Sequence, residues 1–156
     1  MNIINEVKIT FPSKSCNESL ARTTVASFLS QLDPSVTELS DVKTAVSEAV
    51  TNCIVHAYRD TVGKVELTAR ILEGSILYIK IKDMGCGIAD IKKAMEPLYT
   101  TAPEEERAGL GFAVMESFMD KVIVKSKLEK GTTVFLYKKV YSKCNSSESC
   151  RNERYE

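Results

Sequence analysis

Apolar and polar positions along the chain follow two periods. Ile3 to Phe11 alternates with a period of two and predicts a first strand, ended by Pro12 and Ser13. Ser15-Cys-Asn-Glu18 reads as a capping box, and Leu20, Val25, Phe28, Leu29 and Leu32 follow it on one side of a helix. Asp33-Pro34 breaks that helix, and Ser35-Val-Thr-Glu38 is a second capping box. Leu39, Val42, Val46, Ala49, Val50, Cys53, Ile54 and Ala57 then keep helical spacing for about five turns. Lys64 to Ile71 returns to alternation, Glu73-Gly74 signals a hairpin, and Ser75 to Lys82 is the partner strand. A glycine-rich turn comes next at Asp83-Met-Gly-Cys-Gly87, then a short helix over Ala89 to Met95. Pro97 to Ala108 has little periodicity and reads as a mobile loop. Gly109 to Asp120 predicts a helix, and Val122 to Lys127 and Thr132 to Val140 predict two strands joined through Glu129-Lys-Gly131. This order predicts an α+β fold, a two-layer sandwich with a mostly antiparallel sheet and helices on one face.

Composition narrows the class. The 156 residues suit one domain, assigned to 1–140, with a polar tail over 141–156 expected to be disordered. The chain has 21 Lys plus Arg and 21 Asp plus Glu, and no Lys/Arg-rich run. That balance argues against a duplex-DNA binder and predicts no direct nucleic-acid partner. No apolar stretch approaches the roughly 20 residues of a membrane helix. Met1 to Thr10 carries charge and alternation instead of a signal-peptide core, so a cytoplasmic location is expected. The five cysteines are odd in number and lack any C-x-x-C pair, which disfavours a disulfide framework or a structural zinc site. Cys53 reads as a small core residue; Cys144 and Cys150 in the tail read as exposed thiols or redox sensors.

Four groups of residues can carry chemistry. Glu48, Asn52 and His56 are spaced by four, so an α-helix would align them in one stripe. Such a stripe is either a solvated polar face or a site in which a carboxylate takes a proton, an amide ligates Mg²⁺ and the imidazole positions either. Asp83 shares the parity of Leu77, Ile79 and Ile81 and therefore points inward. A lone inward carboxylate needs hydrogen bonds. It either accepts from a ligand with exocyclic N–H donors, such as adenine, or caps the following turn. Gly85 and Gly87 beside Asp83, and Gly109 and Gly111 at the later helix, allow close backbone approach and free N–H groups for phosphate. Neither pair is a P-loop or a Rossmann fingerprint. Tyr99, Thr100, Thr101 and Arg107 in the loop can close over a triphosphate, and Glu104-Glu-Glu106 reads as a solvated run.

These boxes, in this order, resemble the GHKL (Bergerat) ATPases, the superfamily of Hsp90, type II topoisomerases, MutL and histidine kinases. Glu48-x-x-x-Asn52-x-x-x-His56 is similar to the N box, and Asp83-Met-Gly-Cys-Gly87 to the first glycine box. Gly109-Leu-Gly111 is similar to the second, and Gly131-Thr132-Thr133 to the late Gly-Thr element. Within that superfamily, Asn17 to Arg22, Ser47 to His56, Pro97 to Thr101, Arg107 to Phe112 and Met115 to Asp120 resemble the sporulation anti-sigma-F factor family, over about residues 3 to 140. The resemblance implies ATP and Mg²⁺ as cofactors. It implies a sigma factor of RNA polymerase held in the presence of ATP, and a STAS-type anti-anti-sigma protein phosphorylated on serine. It also implies a homodimer. Carried over by residue, it implies Asp83 for the adenine amino group, Thr132 closing that pocket and Asn52 on Mg²⁺. It implies Gly109 and Gly111 on phosphates, Arg107 on the terminal phosphate, Glu48 as general base, and Arg22 as a partner contact. Ala57 and Phe112 stand where the wider superfamily has Gly and Leu, and Cys86 lies inside the first glycine box.

Other readings stay open on the sequence. One is a binding module that uses ATP only as a structural ligand; retained Glu48 and Asn52 favour an enzyme. Another is a general-stress anti-sigma kinase; Thr100-Thr101 and the Arg107 to Phe112 segment favour the sporulation branch. A detached histidine-kinase catalytic domain is disfavoured by compact size, the short lid and the absent dimerisation helices.

Overall fold

The computed structural model describes residues 1–96 and 111–141. Strands β1 (Ile3–Pro12), β2 (Lys64–Leu72), β3 (Ile76–Asp83), β4 (Lys121–Lys127) and β5 (Gly131–Lys139) form one sheet in the order β1-β2-β3-β5-β4, with every neighbouring pair antiparallel. Helices α1 (Cys16–Leu29), α2 (Val36–Asn52), α3 (Ile91–Met95) and α4 (Gly111–Phe118) complete the described elements, apart from a 3₁₀ turn over Ser30–Leu32 and a π turn over Cys53–Ala57. This is the expected α+β sandwich.

Strand alternation decides which face is buried. Val65, Leu67, Ala69 and Ile71 of β2, with Leu77, Ile79 and Ile81 of β3, are essentially fully buried, as are Val134 and Leu136 of β5. Against them lie Val42, Ala45, Val46, Ala49 and Val50 of α2, Val25 and Leu29 of α1, and Met115 of α4. The opposite positions of the same strands are half-buried or exposed, apart from Leu72 and Gly131 at strand ends. Burying a Val or Leu is worth about 1.5–3 kcal/mol, so a one-residue slip of β2 would invert the favourable face at every position.

The two capping boxes behave differently. At α2, Ser35 is extended (φ −65°, ψ 160°), its Oγ accepts from the Glu38 amide at 3.1 Å, and Glu38 Oε2 accepts from the Ser35 amide at 2.8 Å. The box predicted at α1 does not form. Ser15 already has helical angles (φ −55°, ψ −34°) and makes no capping bond. Glu18 is drawn to a tertiary partner instead, accepting from the Ser47 hydroxyl on α2. The long helix is also corrected. It is α-helical only to Asn52, and Cys53–Ala57 widens into a π turn closed by Tyr58 N donating to Cys53 O at 3.2 Å.

Lys138 and Tyr141 tie β5 and its C-terminal end to α2. Lys138 Nζ lies 3.3 Å from Asp41 Oδ2 and donates to Phe118 O at 2.6 Å, and the Tyr141 amide donates to Glu38 Oε1 at 2.8 Å. The chain beyond Tyr141, including Cys144 and Cys150, lies outside the described residues.

Because Ser35 completes its capping box and Ser15 does not, Ser35→Ala should cost about 1 kcal/mol of unfolding free energy. Ser15→Ala should stay within about 0.5 kcal/mol. Urea melts of both variants check this, and equal losses would show that Ser15 caps α1 after all.

Candidate functional site

The last turns of α2, the π turn, the end of β3 and the β4–β5 hairpin converge at one end of the sheet. Glu48 and Asn52 lie four residues apart in regular α-helix, so both occupy one side of it. Gly111 opens α4 directly against them: a Cβ built there would stand 3.2 Å from Asn52 Oδ1 and 3.4 Å from Glu48 Oε2. A side chain there would press on both, so glycine keeps the backbone close to the two polar groups without displacing them.

His56 does not continue the stripe as an α-helix would carry it, because it sits in the π turn, half-buried. Single π turns inside α-helices are rare and concentrate at functional sites. Here the carbonyls at its end face the first glycine turn. The Cys86 amide donates to Ala57 O at 3.1 Å, and Cys86 Sγ lies 3.2 Å from His56 O. The fit leaves no room at Gly85, where a Cβ would come 2.3 Å from Ala57 O. Ala57, the position that departs from the wider superfamily, is thus packed on the glycine turn itself.

Asp83 ends β3 and is 4% exposed, on the side its parity dictates. Its two oxygens differ. Oδ1 accepts from the Gly85 amide at 2.9 Å and from the Thr132 amide at 3.1 Å. Oδ2 receives only the Cys53 thiol, at 3.6 Å, among the described residues. The turn-cap and ligand readings of Asp83 are therefore compatible, since one oxygen caps and the other keeps acceptor capacity. A thiol is a weak donor. Burial pushes the Asp83 carboxyl above its usual range, and the Gly85, Thr132 and Cys53 hydrogen bonds pull it back only in part. Burial, reinforced by the Asp83 charge, pushes the Cys53 thiol well up, so it stays protonated and able to donate.

The hairpin closes this end. Ser126 Oγ donates to Gly131 O at 3.0 Å, lies 2.8 Å from Thr132 Oγ1, and accepts from the Ile88 amide at 2.8 Å. Gly131 has φ +93°, and a Cβ there would meet Asp83 O at 2.2 Å. Gly87 has φ +73° and lies as tightly on Lys127 O. Tyr58 ties the far side, its hydroxyl donating to Lys64 O and accepting from the Met84 amide, both at 2.7 Å.

Of the candidate residues, Glu48, Asn52, Asp83, Gly85, Gly87, Gly111 and Thr132 thus belong to one connected region, with His56 at its back. Thr101, Arg107 and Gly109 lie outside the described residues. Arg22 stands apart on α1, its side chain 42% exposed and its Nε 3.8 Å from Glu18 Oε1. An open groove between α1 and α2 nevertheless joins it to the site, lined by Glu18, Arg22, Lys43, Ser47, Glu48 and Thr51. Sequence reasoning missed Ser126 and Tyr58, which sit in no motif, and assigned Cys53 to the core alone. Its thiol is in the core and also touches Asp83. Only its place one residue after Asn52 hinted at more.

Asp83 ionised in a dry site costs stability. Its raised folded-state pKa contributes stability that is complete below the unfolded value and is lost as pH rises through the folded one. Asp83→Asn should therefore gain on the wild type as pH climbs from near 3.8, the ordinary aspartate value. Chemical denaturation across pH measures the difference, and a flat difference would mean that the Asp83 charge carries no desolvation cost.

The histidine kinase-like ATPase domain model matches residues 11–138. An anti-sigma F factor of Caldanaerobacter subterraneus subsp. tengcongensis is 54% identical over 138 residues, covering 88% of this chain and 96% of the relative. One from Geobacillus stearothermophilus is 49% identical over 146 residues, covering 94% and 98%. Among solved structures, the RsbU and RsbW domains of a Mycobacterium tuberculosis protein superpose with TM-score 0.65 at 17% identity, over 87% of this chain and 32% of that one. The catalytic domain of histidine kinase ThkA superposes with TM-score 0.53 at 12% identity, over 86% and 97%. At such identities the structures speak for the fold.

Proposed function

Because the chain belongs to the histidine kinase-like ATPase family, and within it to the anti-sigma F factors, we propose that it is an ATP-dependent protein-serine kinase that also sequesters a sporulation sigma factor. Its substrate is a serine of a STAS-type anti-anti-sigma protein, and it works in the cytoplasm as a homodimer. No helix among the described residues is long and apolar enough to cross a membrane. The observation that carries the reading is the division of labour at Asp83. One oxygen is saturated by backbone amides, and the other, buried, is met only by a thiol among the described residues. An adenine amino group supplies the stronger donor that this oxygen lacks.

ATP and Mg²⁺ fit the residues present. Asp83 and the Gly85–Gly87 turn would hold the base, with Thr132 closing the pocket. Gly111, whose missing Cβ leaves space beside Asn52 and Glu48, would turn its amide to phosphate together with Gly109. Among the described residues no three His, Cys, Asp or Glu side chains gather to cage a metal. Asn52 alone suits Mg²⁺, which keeps waters and takes much of its shell from phosphates. When bound, the metal neutralises charge on the transferring phosphoryl group. Glu48, beside Asn52 and on the wall of the α1–α2 groove, would take the proton of an incoming serine hydroxyl. His56 braces this helix end through its backbone. Arg107 and Thr101 complete the phosphate end in this proposal. Arg22 meets both the sigma factor and the antagonist at the groove that leads to Glu48.

Transfer of labelled γ-phosphate from Mg-ATP to a serine of the antagonist is the expected result. Glu48→Ala should abolish transfer, by at least about 10²-fold, while largely sparing ATP affinity. Asp83→Asn should weaken ATP binding by about ten-fold or more. ATP bound without any transfer to the antagonist would favour the binding-module reading, in which ATP only holds the sigma-binding shape.

A further inference from the structure

The outward face of the sheet plays no part in the site around Asp83. Its residues come into line only through strand pairing. One row across the strands reads Glu6, Arg70, Tyr78, Tyr137 and Lys121. The next reads Lys8, Thr68, Lys80, Phe135 and Ile123, and a third Thr10, Glu66, Lys82, Thr133 and Lys125. Every residue of these rows is half-buried or exposed, and no described element packs over them.

The rows carry a charge imbalance that the chain as a whole lacks. They hold six cations and two carboxylates, whereas the full sequence is balanced at 21 and 21. Both carboxylates are already engaged: Glu6 by Lys8 at 2.9 Å and by Arg70, and Glu66 by Lys64 at 2.6 Å. Lys80, Lys82, Lys121 and Lys125 form no ion pair among the described residues.

Three aromatic rings stand together on β3 and β5. Tyr78 on β3 lies 5.2 Å from Tyr137 and 6.3 Å from Phe135, both on β5. Each ring has a cation near its face: Arg70 at 5.4 Å from Tyr78, Lys121 at 5.9 Å from Tyr137 and Lys125 at 5.5 Å from Phe135.

We propose that this open sheet face binds single-stranded nucleic acid, with bases stacking on Tyr78, Phe135 and Tyr137 and phosphates paired to Lys80, Lys82, Lys121 and Lys125. The ligand must be anionic to match these lysines. It must also have flat apolar faces, because the three rings offer stacking surface that a purely acidic peptide would leave unused once its carboxylates had drawn the cations off the rings. A nucleic acid meets both demands, and every base has a face to stack. A single strand is required, because a duplex hides those faces in its stack. The sequence expectation of no nucleic-acid partner rested on net charge and on the lack of a basic run. Register gathers from five strands what the sequence disperses.

The test is fluorescence anisotropy of a labelled oligouridine of about twelve nucleotides with the full chain, at saturating Mg-ATP so that a nucleotide site cannot account for binding. Binding is expected at 50 mM salt and should weaken about fifty-fold by 200 mM, for four phosphate contacts at a log–log slope of about −0.7 each. Lys80→Glu with Lys125→Glu should weaken binding at least about ten-fold and flatten the salt slope. Tyr78→Ala should weaken it about five-fold or more without changing the slope. Tyr137→Thr serves the same purpose if Tyr78→Ala fails to fold. Absence of binding at 50 mM salt overturns the proposal. So does poly-glutamate competing as well as the oligonucleotide while the aromatic variants bind normally, which would mark the face as a dock for acidic proteins.

Discussion

A single buried carboxylate holds one end of this molecule together. Asp83 Oδ1 accepts from the amide two residues ahead and from the amide of Thr132, 49 residues away. It thereby joins the end of β3, the glycine turn and the start of β5. Gly131 can deliver Thr132 to that oxygen only because its own backbone touches Asp83, at a distance that admits no Cβ. Burial of a charge costs several kcal/mol unless hydrogen bonds compensate. Here the compensation at Oδ2 is a single weak thiol donor, so that oxygen keeps capacity to accept a further bond.

The π turn is the second constraint and answers to the first. By widening after Asn52 the helix ends with its last carbonyls facing Cys86, which seats the glycine turn and fixes where Asp83 sits relative to Asn52. Glu48 and Asn52 stay on the straight part, where Gly111 can approach both. A regular α-helix to Ala57 would have kept the three-residue stripe and lost this junction. Local backbone irregularity is thus concentrated where two chemically different ends of the site meet.

The two faces of the sheet divide the work. The inner face carries Leu and Ile at alternate positions and packs on α1, α2 and α4, so it positions the site by simple burial. The outer face is free of that duty, and its Tyr78, Phe135 and Tyr137 rings pair across strands and with Arg70, Lys121 and Lys125. Isolated surface cations contribute little to folding. Six of them in three adjacent rows, against two engaged carboxylates, are better understood as a field presented to a partner.

Sequence alone determined whatever depends on neighbours along the chain. Alternation over Lys64 to Ile71 and Ser75 to Lys82 placed the inner face and turned Asp83 inward, and helical spacing placed the buried side of α2. The Ser35 box was legible because its donors and acceptors lie within four residues. Tertiary structure decided what depends on partners far away. Glu18 abandoned a local cap at Ser15 for Ser47, since a hydroxyl on a packed helix competes on equal terms with a nearby amide. Helix α2 widened because its terminal carbonyls had a glycine turn to meet. Thr132 and Cys53 reached Asp83 across 49 and 30 residues of separation, for which no local period exists. The basic aromatic face is the extreme case: β1, β2, β3 and β4 contribute one or two cations each and β5 two of the three rings, the sum of charge over the chain is zero, and only antiparallel register brings those residues side by side on one face.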